Sequence, residues 1–256
     1  MTDRILSIVR AAGDVMLGFE NPEVFQKEGH ANFVTKADME VQAFLLKQLH
    51  EAMPEASFFA EEQENEQLTD APTFLVDPID GTTNFMRGRK CSSISVALLK
   101  NREPVLAAIL NPYTGELFHA EKGRGACMNG KPIHVSGQDF SQALVTFGTS
   151  PYNAALAKKT LRAAEAFLLG CADLRRTGSA AIDLCDIACG RGDIFWELQL
   201  SPWDFAAGSL LVSEAGGKAG CPGRGPFDYG EKSPVLAANT ACYEAAERIL
   251  PGFLDG

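Results

Sequence analysis

A short apolar stretch, Phe74-Leu75-Val76, runs directly into Asp77-Pro78-Ile79-Asp80-Gly81-Thr82-Thr83-Asn84. The apolar triplet reads as a buried strand, and two carboxylates three positions apart follow at its end. Pro78 fixes one φ and Gly81 permits a tight turn. Together they bring Asp77, Asp80 and the carbonyl between them towards one point. Hard cations such as Mg2+ take oxygen ligands of this kind. Gly81 and Thr82 add backbone N–H groups and a hydroxyl suited to a phosphate oxygen. The same string also describes an ordinary β-turn with Asx capping, and these residues alone leave both readings open.

Other carboxylates bear on the choice. Glu61-Glu62 lies shortly before the strand, and Asp204 follows Pro202-Trp203 at the start of a Gly- and Ala-rich helix. Glu197 ends a short strand seven residues earlier. Taken singly, Asp204 reads first as a helix cap and Glu197 as a solvent-facing acid. The chain of 256 residues carries 33 acidic against 23 basic side chains, a net charge of −10. Such an excess argues against sequence-independent nucleic-acid binding, which neutralises phosphates with Lys and Arg. It also argues against an anionic membrane surface. Its 46% hydrophobic and 22% charged residues are globular values, so the surplus is not that of a disordered acidic tail. It is either a solubility device or a collection of carboxylates that holds a cation.

The seven cysteines, Cys91, Cys127, Cys171, Cys185, Cys189, Cys221 and Cys242, form no CxxC pair, and the odd count fits no disulfide framework. Cys185 and Cys189 have no nearby His or Cys to complete a zinc set. The first twenty residues mix Asp3, Arg4, Arg10 and Asp14 with apolar positions, which is an amphipathic helix and not a signal peptide. No apolar run approaches the roughly 18 residues that span a bilayer. A soluble, cytoplasmic protein with reduced thiols is the expectation.

Ile5, Ile8, Val9, Ala12, Met16 and Phe19 share one helical face. A loop with Pro22, Lys27 and Gly29 follows, and Thr35-Lys36-Ala37-Asp38 reads as a capping box opening a second helix. Strands are expected at Phe74–Val76, Ser92–Leu99, Val105–Leu110 and Gly115–Glu121, forming an antiparallel sheet with helices on one side. Beyond it, strands at Leu144–Phe147, Asp193–Glu197 and Pro234–Ala238 alternate with helices at Leu156–Leu169, after Ser179, at Trp203–Ala215 and from Thr240. That is an α/β pattern. The boundary falls near Gln138, giving an N-terminal α+β half (1–138) that carries the Asp77 motif and a C-terminal α/β half (139–256) that completes the site.

Asp77–Phe85 (DPIDGTTNF) and Trp203–Gly217 (WDFAAGSLLVSEAGG) together resemble the inositol monophosphatase family of Mg-dependent, lithium-sensitive-type phosphatases. Val34–Asp38 (VTKAD), Ala60–Glu62 (AEE) and Arg175–Leu184 (RRTGSAAIDL) support the resemblance in the family's order. The resemblance implies a layered αβαβα sandwich of the sugar-phosphatase type, two to three Mg2+ ions per subunit and a homodimer. It implies metal ligands at Glu61, Asp77, Asp80, Asp204 and the Ile79 carbonyl. Glu61 and Thr82 match the pair that orients a metal-activated water attacking phosphorus in line, and Asp38 matches the residue that helps place Thr82. Asp80, Gly81, Thr82, Gly178, Ser179, Ala180 and Glu197 match the substrate side, with Glu197 on a sugar hydroxyl. Lys27 falls in the family's mobile loop over the site. The four histidines, His30, His50, His119 and His134, belong to none of these motifs.

The sequence departs from the family at Ala60, where Gly is usual, at Phe74, where Trp is common, and at Met86-Arg87-Gly88-Arg89-Lys90. The three basic residues there read as a solvated or interface loop, or as a second anion subsite. Thr83-Asn84 and Glu197 favour inositol-1-phosphate or a similar polyol phosphate. Fructose-1,6-bisphosphate and other sugar or nucleotide phosphates are the alternative. Arg175-Arg176-Thr177-Gly178-Ser179 also resembles bacterial members that bind transcription machinery as regulators. No membrane partner and no direct nucleic-acid partner is expected.

Overall fold

The strand that carries Asp77 is buried along its whole length, from Thr73 to Asp80. A strand covered on both faces needs a layer on each side, and this chain supplies both. The computed structural model describes residues 1–20, 22–27 and 33–254; Gly29 and His30 lie outside them. In chain order the first half forms α1 (Thr2–Leu17), β1 (Val24–Gln26), β2 (Phe33–Thr35), α2 (Lys36–Ala52), β3 (Ser57–Ala60), β4 (Thr73–Asp80), α3 (Thr82–Met86), β5 (Ser93–Lys100), β6 (Glu103–Asn111), β7 (Glu116–Glu121), β8 (Ala126–Met128) and β9 (Lys131–Ile133). The second half forms β10 (Leu144–Phe147), α4 (Ala157–Leu168), β11 (Asp173–Arg175), α5 (Ala180–Ala188), β12 (Ile194–Leu200), α6 (Pro202–Glu214), β13 (Lys218–Gly220), β14 (Ser233–Ala238) and α7 (Thr240–Ile249).

Two sheets result. Strands β3 to β9 lie side by side in sequence order as a seven-stranded sheet, and the second sheet runs β11-β10-β12-β14-β13. Period-two alternation sorts the side chains between layers. On β4 to β7, Phe74, Val76, Ile94, Val96, Leu98, Leu106, Ala108 and Leu110 pack against α1 and α2. Their neighbours Leu75, Ala97, Leu99, Ala107, Ile109 and Phe118 face α5 and α6 instead. Those two helices also cover Phe195, Val235 and Ala237 of the second sheet. The opposite face of that sheet, with Ile194, Trp196 and Leu236, packs on α4 and α7. The order is therefore helices, sheet, helices, sheet, helices, the αβαβα sandwich.

The expectation of an antiparallel sheet with helices on one side needs correcting twice. β3 pairs parallel to β4, and both faces of the sheet are covered. The second cover comes from α5 and α6, which lie about a hundred residues downstream, so no local pattern could announce it. The small residues Ala206, Ala207 and Gly208 let α6 run buried between two sheets. The capping box at Thr35 forms as read, with Thr35 and Asp38 exchanging hydrogen bonds. Ala60 is extended and fully buried in β3, so the position needs no left-handed backbone. No helix among the described residues is long and apolar enough to cross a membrane.

Candidate active site

Asp77 and Asp80 are three apart, and in a regular strand such residues point to opposite faces. The ladder between β4 and β5 pairs Asp77 with Ser95 and Asp80 with Ser93, three steps against two. The extra residue is a β-bulge, and it restores a common side for the two carboxylates. Both line one cavity of about 230 Å3. The strand continues past the apolar triplet, through Pro78, to Asp80. The turn comes at Gly81, whose φ of 85° is left-handed and opens the short α3. A side chain there would also meet the Gly178 carbonyl at 3.0 Å.

The other site residues arrive from separate elements. The Glu61 N–H donates to the Val76 carbonyl at 3.1 Å, which sets Glu61 beside the end of β4. Asp204 lies in the first turn of α6 and accepts from the Ser201 N–H at 2.8 Å. Asp80 Oδ2 accepts from the Ala181 N–H at 2.9 Å and from the Ser179 hydroxyl, both at the start of α5. Asp77 Oδ1 accepts from the Ile79 N–H at 3.0 Å. Glu61, Ile79, Gly81, Thr82, Gly178, Ser179, Ala180, Glu197 and Asp204 line the same cavity as the two aspartates. Asp38 does not line it. It is buried behind, where the Thr82 hydroxyl donates to its Oδ1 at 3.3 Å and also reaches the Ile79 carbonyl at 3.2 Å. Lys27 pairs with Glu62 at 2.5 Å and Glu61 at 3.5 Å.

Burial and mutual repulsion set the electrostatics. Burial pushes Glu61 up to about 7, opposed by Lys27 and reinforced by Glu62 and Asp38. Asp77 and Asp204 stand well above the usual carboxylate range, first through burial and then through the neighbouring carboxylates. Asp80 is raised by burial, against the hydrogen bonds from Ser179 and α5. Burial takes Asp38 to about 6, with the Thr35 hydrogen bonds opposing. Glu197 is raised to about 7 by burial, while the Ser150 N–H at 2.7 Å and its hydroxyl at 3.0 Å hold the charged form.

Dispersed in sequence, the acids are gathered where water is scarce, with few cations among them. Among the described residues no three Asp, Glu, His or Cys side chains form a ready-made metal cage. Like charges this close resist closing on one point by themselves. The donor set is nevertheless all oxygen, four carboxylates and the Ile79 carbonyl, and its charge is largely uncompensated. Such a set suits a hard divalent cation.

Several cavity residues escaped the sequence reading. Tyr152, 58% exposed, stands at the cavity together with Pro151. Gly148 also lines it, with Glu197 packed against it. Asp183 lines it as well, bound to the Thr177 hydroxyl at 2.8 Å, while its Oδ1 is buried without a partner. Arg176 adds the cavity's own cation. The one signal was Gly148-Thr149-Ser150-Pro151-Tyr152 just past a strand, a composition typical of loops that carry function.

A sequence model of the inositol monophosphatase family matches residues 3–252. The chain is 36% identical over 253 residues to inositol monophosphatase 2 of Solanum lycopersicum, covering 95% of each protein. It is 36% identical over 260 residues to the Nus factor SuhB of Xylella fastidiosa, covering 96% of this chain and 92% of that one. Among solved structures, the IMPase of Thermotoga maritima superposes with a TM-score of 0.90 at 27% identity, covering 98% and 97% of the two chains.

Proposed function

We propose that this chain, which belongs to the inositol monophosphatase family, is a Mg2+-dependent hydrolase of small phosphorylated polyols, inositol-1-phosphate first among them. The observation that carries the reading is the meeting of Glu61, Asp77, Asp80 and Asp204 around one cavity, from three separate segments and with little counter-charge. Glu61, Asp77, Asp80, Asp204 and the Ile79 carbonyl would hold the cations. Bound there, divalent cations would supply positive charge for the phosphate oxygens and acidify a water.

The chain's own groups do the rest. Gly81 and Thr82 present backbone N–H groups at the start of α3 towards the phosphate. The Thr82 hydroxyl is aimed by Asp38 and the Ile79 carbonyl. Glu61, at the cavity beside Asp77, can take a proton from a water held there. Together, Thr82 and Glu61 orient the nucleophile. No Cys or His nucleophile is needed, and no covalent intermediate. Glu197, held by Ser150, faces the alcohol portion and would accept from a sugar hydroxyl. Pairing into a homodimer is part of the same proposal, tested by light scattering on the eluted peak.

The test is a phosphate-release panel with both enantiomers of inositol-1-phosphate, fructose-1,6-bisphosphate, phosphoadenosine phosphate and histidinol phosphate, with and without Mg2+. No release from any ester with Mg2+ present overturns the reading, and preference for a non-polyol ester overturns the substrate assignment. A second reading, a regulator on the transcription machinery, is favoured by the likeness to the Xylella Nus factor. A pull-down that recovers no polymerase or antitermination partner counts against it.

A further inference from the structure

Just past β10 the chain makes a tight turn beside the acidic cavity. The Asn153 N–H donates to the Ser150 carbonyl at 2.9 Å, which closes a β-turn of Ser150, Pro151, Tyr152 and Asn153. Pro151 holds the second position, where its fixed φ suits the turn. Both ends are tied to β12. Ser150 is buried, its N–H donates to Glu197 Oε1 at 2.7 Å, and its hydroxyl lies 3.0 Å from the same oxygen and 2.9 Å from the Gln199 carbonyl. The Asn153 amide donates to Gln199 Oε1 at 3.1 Å. Ser150 has a φ of 39°, a left-handed backbone that a residue with a Cβ adopts at a cost, and these contacts hold it there. The turn is therefore rigid, and its position is set by the same Glu197 that faces the alcohol portion of the ester.

What the turn presents is Tyr152. Among the described residues it is the one exposed large hydrophobic side chain that lines the cavity. Burial of the phenol, then the charges of Asp204 and Glu197, raise its pKa, so it stays neutral and adds no charge among the acids. We infer that Tyr152 is a specificity-determining residue, whose ring face packs on the carbon skeleton of the alcohol while Glu197 accepts from a hydroxyl at the alcohol's edge. The inference rests on the reading of this cavity as a polyol-phosphatase site. A cyclic polyol carries most of its hydroxyls around its rim and C–H groups on its faces, and one aromatic ring covers one such face. A short acyclic alcohol offers no face of that size. Tyrosine brings a broad apolar body with few torsions to fix, and the pinned turn lowers the ordering cost further. The class selected is the phosphate ester of a ring-shaped polyol, against its acyclic counterparts.

The test compares inositol-1-phosphate with glycerol 3-phosphate on the full chain loaded with Ca2+. Ca2+ takes the same hard oxygen ligands as Mg2+ in a looser geometry, so binding is read apart from the Mg2+ reaction. Titration calorimetry gives a Kd for each ester. The parent chain binds the ring ester more tightly. Tyr152→Ala lowers that preference roughly tenfold, and Tyr152→Phe, which keeps the ring, retains most of it. Both variants melt with the parent, since the side chain is exposed. A parent without the preference overturns the inference, as does a preference unmoved in Tyr152→Ala. A loss as large in Tyr152→Phe as in Tyr152→Ala also overturns it, because the hydroxyl and not the ring then carries the contact. The hydrolase reading is judged separately, by phosphate release with Mg2+. Release together with an unmoved preference removes only the role of Tyr152. A preference that depends on Tyr152, without release from any ester, removes only the hydrolase reading.

Discussion

The Ala181 N–H donates to Asp80 Oδ2 at 2.9 Å, across 101 positions of sequence. The Ser179 hydroxyl donates to the same oxygen while also capping α5 at the Ile182 N–H. One oxygen of Asp80 is thus spent on holding α5 against β4, and the carboxylate is fixed in place by the other half of the chain. Ser179→Ala should lose the cap, about 1 kcal/mol of stability, and leave Asp80 less constrained. Phosphate release should fall while far-ultraviolet circular dichroism stays unchanged, and Ser179→Thr should restore most of both losses. Full activity in Ser179→Ala would remove the tie from the mechanism.

Asp204 is repelled by Glu61, Asp80 and Glu197, with the Ser201 N–H as its hydrogen-bonding support. Asp204→Asn should lower turnover by at least about a hundredfold. In EDTA its melting temperature should match or exceed that of the parent chain, because a buried repulsive charge is gone. Adding Mg2+ should raise the parent's melting temperature and leave the variant's nearly unmoved. A fully active Asp204→Asn would sink the metal-site assignment.

Thr82 reaches Asp38 and the Ile79 carbonyl through its hydroxyl alone. Thr82→Ala should reduce kcat strongly with little change in KM, the pattern of a group that acts on the nucleophile. Thr82→Ser keeps the hydroxyl and should keep most of the rate. Equal loss in both would mean that the methyl group, not the hydroxyl, matters.

In the metal-free chain, burial raises Glu197 from an ordinary 4.5 to about 7. Between those values the folded chain keeps a proton that the unfolded chain has released. Stability therefore falls as pH rises from about 4.5 to 7 and levels off above, by roughly 3 kcal/mol for this one group. Glu61 and Asp38, also raised, act in the same direction. Urea melts in EDTA across this window should show the slope, and Glu197→Gln should flatten part of it. A Glu197→Gln slope as steep as the parent's would contradict the assignment.

Gly148 packs directly against the Glu197 carboxylate. A methyl group there would sit 1.7 Å from Glu197 Oε2, so the carboxylate must move and give up the Ser150 N–H and hydroxyl. Gly148→Ala should cost about 2 kcal/mol. It should also raise KM for a polyol phosphate more than for an aryl phosphate that offers no hydroxyl to Glu197. Both constants and the melting curve measure it.

The features visible in the sequence were those encoded locally. The Thr35–Asp38 capping box, the buried strand ending in two aspartates and the helix opening at Asp204 each follow from neighbouring residue types. Spacing also marked most of the strands of the first sheet. The convergence of Asp77 and Asp80 was read from Pro78 and Gly81, but spacing could not give the bulge that produces it. Residues three apart diverge in a regular strand, and only the bulge against β5 turns both into one cavity. Nor could it show that α5 and α6 cover the first sheet, or that β3 runs parallel to β4, since both depend on partners far along the chain.

For the site, sequence alone determined the inventory of oxygen donors and, through two long motifs, the family they resemble. The tertiary structure decided their company. It buried Glu197 against Ser150 and Gly148, set Lys27 beside Glu61 and stationed Tyr152 at the cavity. The physical reason is that ionisation and binding depend on distance and burial. Those quantities belong to contacts between segments that the chain keeps up to a hundred residues apart, and no residue carries them in its own identity.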